Sequence, residues 1–82
     1  MNRADSIISV VVVDHVKLFR DCLQIACKDH PRLQILADVE DFEAAVRLVK
    51  RHTPDLVLVG GSCLENGAIP FIHTVKDMSP AT

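Results

Sequence analysis

Three short stretches of this chain carry residue types that can do chemistry. Asp14 and His15 follow directly on the apolar run Ile7–Val13. A carboxylate beside an imidazole can hold a cation or move a proton. Gly60, Gly61 and Ser62 follow a later strand-like run, Asp55–Val59. A glycine-rich turn between a strand and a helix can turn its backbone N–H groups towards an anion. Cys63 comes next and could act as a nucleophile, as a redox thiol, or as a zinc ligand with Asp14 and His15. Each of these readings has a plainer rival. Magnesium prefers oxygen to a neutral imidazole. The glycines do not make a GxGxxG pattern, and a zinc site lacks a fourth ligand with the usual short Cys/His spacing. Only His15 could serve Cys63 as a base, and only if the fold brings it there. Cys22 and Cys27 read as core or helix-face residues. His30, His52 and His73 lie at helix ends or faces and need no role beyond solvation.

The surrounding elements decide whether these stretches meet. Ile7–Val13 reads IISVVVV, β-branched and without alternation, as a strand buried on both faces does. Lys17–His30 carries apolar residues at helical spacing, Leu18, Cys22 and Ile25 on one stripe and Phe19, Leu23 and Ala26 on another, and Pro31 ends it. Leu33–Ala37 is a second strand. Asp41 is an N-cap for a helix whose Phe42, Ala45, Val46 and Val49 share a face, with Glu43 and Arg47 as an i, i+4 pair. Arg47, Lys50 and Arg51 read as a solvated helix end favoured by the macrodipole. After Pro54, Asp55–Val59 is a third strand. Asn66 and Gly67 signal a turn, and Ala68–Met78 is a third helix with Pro70 near its start. The order β-α-β-α-β-α predicts an α/β fold, a parallel sheet with helices on both faces. In such sheets function sits at the carboxyl ends of the strands, where the loops bearing Asp14 and Gly60 should converge.

Composition narrows the classes of function. The 82 residues carry 9 Lys and Arg against 11 Asp and Glu, a net charge of −2, which excludes nucleic-acid binding by bulk charge. With 49% hydrophobic residues the chain is not intrinsically disordered. No apolar run approaches the roughly 20 residues that span a bilayer. The N-terminal apolar run ends at Asp14, which argues against a secretory signal. Three cysteines without CxxC spacing fit reduced thiols in a cytoplasmic setting. Three Phe and no Trp or Tyr offer little for stacking on bases.

Four segments, in order and spacing, carry a family likeness: VVVVDHVKLFRDCL (Val10–Leu23), DVEDFEAAVRLV, PDLVLVG and VKDMSPAT. Together they resemble the receiver (REC) domain of response regulators of the NarL/FixJ, or LuxR, type. The resemblance implies a flavodoxin-like (CheY-like) doubly wound sheet and phosphoryl transfer to an aspartate at the end of the third strand. It also implies an acidic pair at the end of the first strand to hold magnesium. Asp14 falls on the first member of that pair, His15 on the second, and Gly60 on the phospho-accepting aspartate. Cys63 and Leu64 stand where the family usually has methionine and proline. By this alignment Asp14, His15 and Gly60 form a degenerate phospho-site pocket, a pseudo-receiver.

The family sheet is ordered 2-1-3-4-5, and this chain supplies strands 2, 1 and 3. Residues 1–82 are therefore expected to be the N-terminal part of one receiver-like domain, three βα units in all. Leu56, Val57, Leu58 and Val59 would form an unprotected edge that pairs with another chain, and a compact monomer would be marginal. Leu18 and Phe19 are read as core residues anchoring the first helix. The expected function is non-enzymatic signalling through protein contact, by self-association or with another regulator subunit, with no cofactor and no membrane. DNA would be engaged only through a C-terminal helix-turn-helix domain outside these residues. The alternative is a small-molecule or anion sensor built on Asp14, His15 and the loop Gly60, Gly61, Ser62, Cys63. A small flavodoxin-like enzyme using Cys63 is the weakest reading, because no acid–base pair has suitable spacing.

Overall fold

The computed structural model describes residues 6–64 and 67–82, and of Ser62 only the backbone. Asn66 of the expected turn lies outside them. Strands β1 (Ile8–Val13), β2 (Leu33–Val39) and β3 (Leu56–Val59) alternate with helices α1 (Lys17–Cys27), α2 (Phe42–His52) and α3 (Ala68–Met78). The sheet is ordered β2-β1-β3, and β1 pairs parallel with both neighbours. The expected α/β arrangement and strand order are therefore present.

Val10 to Val13 are each 3% exposed or less, because β1 has a strand on either side and helices on either face. One face packs on α2 and α3. There Val13, Ala45, Val49, Cys63, Phe71 and Val75 form the buried core, flanked by Val39, Val57 and Val59. Phe42 and Phe71 stack with ring centroids 4.5 Å apart and join the two helices. The starts and stops follow local chemistry. Asp41 caps α2 by accepting from the Ala44 N–H at 2.8 Å. Gly67 enters α3 at φ 89°, a left-handed conformation that suits glycine. Helix α1 ends three residues earlier than its sequence pattern suggests. The Glu43–Arg47 ion pair does not form, whereas Lys17 and Asp21 pair at 2.7 Å.

The other face belongs to α1, and here the structure corrects the sequence reading. Leu18 and Phe19 are 72% and 44% exposed, so they are not core residues. No residue of α1 is fully buried. A bulge explains the geometry. β2 pairs Ile35 with Val10 and then Ala37 with Val11, so Leu36 is skipped. The shift turns Val39 towards the α2–α3 core and sends Asp38 to the opposite face. There Asp38 accepts a 2.9 Å hydrogen bond from Gln24 and lies 3.1 Å from Arg20 Nε. These polar anchors hold the Arg20–Gln24 side of α1 on the sheet and turn its apolar stripe aside. On β3, Leu56 and Leu58 share Asp38's face and remain 42% and 39% exposed.

A second polar fastening closes the far end of the sheet. The Ser9 N–H donates to Asp55 Oδ2 at 2.9 Å, and the Asp55 N–H donates to Ser9 Oγ at 3.0 Å. It ties the start of β3 to β1 across 46 residues of chain.

Candidate functional site at the carboxyl ends of the strands

The two loops singled out in the sequence meet. The Asp14 N–H donates to Val39 O at 3.0 Å on one side of β1, and the Gly60 N–H donates to Val13 O at 2.8 Å on the other. Each ladder thus runs one residue past its strands and fixes both backbones at the same end of the sheet. Asp14 is only 3% exposed. Its Oδ1 accepts from the Val16 N–H at 2.7 Å, closing an Asx-type turn into α1. Its carbonyl accepts from an Arg20 Nη at 3.1 Å. The rest of its carboxylate turns towards Gly60. A Cβ built on Gly60 would overlap Asp14 Oδ2 and stand 2.5 Å from Asp14 Cγ.

Other residues of the expected site are dispersed. His15 is exposed beside the buried Asp14. Gly60–Ser62 does not form an open nest. The backbone makes a single 3-10 turn over Gly61–Cys63, with the Cys63 N–H donating to Gly60 O at 3.0 Å. Gly61 stands in open space. Cys63 is 1% exposed and belongs to the α2–α3 core, so its thiol does not face the loop and cannot meet an incoming substrate there. Among the described residues no three His, Cys, Asp or Glu come together as a metal-binding group. A buried carboxylate beside the loop also opposes an anion in it.

Sequence reasoning missed Arg20 and Asp38. Arg20 spans two elements at this end of the sheet: its side chain is 11% exposed, and it binds the Asp14 carbonyl while facing Asp38. Nε lies off the line of a hydrogen bond to Asp38, so this contact is an ion pair without one. No sequence signal marked this role, since Arg20 lies off both apolar stripes of the helix, beside Lys17 and Gln24.

The chain is 36% identical over 52 residues to the transcriptional regulatory protein DegU of Brevibacillus brevis, a match covering 63% of this chain and 22% of that protein. It is 34% identical over 50 residues to protein-glutamate methylesterase/protein-glutamine glutaminase 2 of Nitratidesulfovibrio vulgaris, covering 61% of this chain and 14% of that protein. These matches support a receiver-type domain. The chain thus spans less than a quarter of the length of the curated relatives it matches. No protein-family model and no solved structure matches it. The receiver-type reading agrees with the β2-β1-β3 order and with the loops that meet at Asp14 and Gly60. No helix of the described residues is long and apolar enough to cross a membrane.

Proposed function

We propose that this chain is a signalling module of receiver type that forms no aspartyl phosphate and works through protein–protein contact. The observation that carries the reading is Gly60. It occupies the carboxyl end of β3, where the receiver resemblance puts the accepting aspartate, and glycine has no nucleophile. The neighbouring acid, Asp14, is buried and engaged with the Val16 N–H. His15 replaces the oxygen ligand that magnesium would want.

On this reading the outer edge of β3 is the contact surface. Leu56, Val57, Leu58 and Val59 present a flat apolar edge without a proline or an inward charge. Beside it runs a groove of about 150 Å³ between β3 and α3, lined by Leu56, Val57, Val59, Phe71, Ile72 and Val75. The partner is a second copy or another regulator subunit. Engagement of DNA would need a further domain outside these residues, as the receiver resemblance implies.

Incubation with acetyl phosphate and magnesium is expected to leave the intact mass unchanged. A stoichiometric, hydroxylamine-labile gain of one phosphoryl group would overturn the proposal. The edge is tested separately. Leu58 is already 39% exposed, so Leu58→Lys should cost little stability. It should raise the dissociation constant for self-association by roughly tenfold or more in sedimentation experiments. Unchanged association would remove β3 as the contact.

A further inference from the structure

We infer that Asp14 and Gly60 interlock: the Asp14 carboxylate fills the volume that a side chain at position 60 would occupy, so this position demands glycine for space. The backbone at Gly60 has φ −66° and ψ 153°, an extended conformation open to any residue. Conformational freedom therefore does not explain the glycine. Its surroundings do. A Cβ there would overlap Asp14 Oδ2 and come within 2.5 Å of Asp14 Cγ and 2.8 Å of Asp14 Cβ. A flexible side-chain tip could swing away, but this one is confined. Asp14 is 3% exposed, and Oδ1 is held by the Val16 N–H. Turning the carboxylate aside would not move Asp14 Cβ, whose place is set by the backbone bonds to Val39 and Arg20. Gly61, one residue on, meets nothing within 4 Å and is a built-in control.

The interlock deepens the proposed function and, for phosphoryl chemistry, rests on it. An aspartate placed at position 60 would meet Asp14 with its first carbon, so it could sit there only if Asp14 moved from the place it holds in this chain. The steric coupling itself holds whatever the domain does.

A thermal-unfolding cycle on the full protein tests it. Gly60→Ala is expected to lower Tm by about 5 °C or more, on the scale by which overpacking unsettles a small domain. Gly61→Ala should shift it by less than about 1 °C. In the Asp14→Gly background, the loss caused by Gly60→Ala should fall to less than half. If Gly60→Ala fails to fold alone, recovery of folding in Asp14→Gly/Gly60→Ala supports the interlock, and failure of the double variant where Asp14→Gly folds overturns it. Should Asp14→Gly itself not fold, Asp14→Ala, which removes the overlaps with Oδ2 and Cγ but keeps Cβ, should still reduce the loss in part, and an undiminished loss there would overturn the interlock. Equal losses in both backgrounds, or a Gly60→Ala as silent as Gly61→Ala, would overturn it. Gly60→Asp is expected to lower Tm at least as much as Gly60→Ala, and an unchanged Tm would overturn the interlock. Phosphorylation of the unaltered protein by acetyl phosphate would instead overturn only the proposed function.

Discussion

Phe71→Ala is expected to destabilise the protein by about 3–5 kcal/mol, the usual cost of emptying an aromatic site in a packed core. Phe71 is 5% exposed and stands where three elements meet. Its ring stacks on Phe42 of α2 at an interplanar angle of 21°, and it packs in one cluster with Val13 of β1 and Val75 of α3. A chain of 82 residues buries a smaller share of its surface than a large domain, so little can close around the void. With total stabilities of roughly 5–15 kcal/mol for domains, this one substitution removes a large part of the whole. Urea unfolding followed by circular dichroism measures it. Phe71→Leu, which keeps most of the volume, should cost less than about 2 kcal/mol. A Phe71→Ala loss under about 1 kcal/mol would mean that α3 does not hold the layer described here.

Arg20→Ala should cost about 2 kcal/mol, for a different reason. Its alkyl stem adds some packing, but the polar contacts dominate. The Arg20 side chain is 11% exposed and that of Asp38 24%, so both are largely withdrawn from water. Removing the cation leaves Asp38 with Gln24 alone and strips the Asp14 carbonyl of a donor. A half-satisfied buried group costs more than the bond was worth. Because the missing hydrogen bond to Nε weakens the pair, the loss should stay below the 3–5 kcal/mol seen for fully buried ion pairs. A double-mutant cycle with Asp38→Ala isolates the coupling, expected near 1 kcal/mol. Additive losses would show that Arg20 acts through the Asp14 carbonyl and not through Asp38.

These two residues also mark where reading the chain by itself succeeds and fails. Phe71 was legible. It lies on a helical stripe with Ala68, Ile72 and Val75, a period that marks the side of a helix suited to face a core. Arg20 was not legible, and the mistake about Leu18 and Phe19 has the same origin. Periodicity tells that α1 has an apolar side, but not that two polar side chains would bind a carboxylate on a bulged strand and set the helix's rotation. The skipped residue Leu36 has no local signature at all.

What the amino-acid order determined alone is the alternation of strand and helix, with the parallel sheet that such alternation implies, and the cap at Asp41. These rest on side-chain shape, period and capping chemistry acting within a few residues. The β2-β1-β3 order and the meaning of a glycine at position 60 came instead from the resemblance to receiver domains. Tertiary structure decided the rest: that Asp14 is buried with its carboxylate in the place of a side chain at Gly60, that Cys63 belongs to the core, and that Ser9 fastens Asp55. Each joins atoms far apart along the chain, and only the packing of whole layers brings such atoms within contact distance.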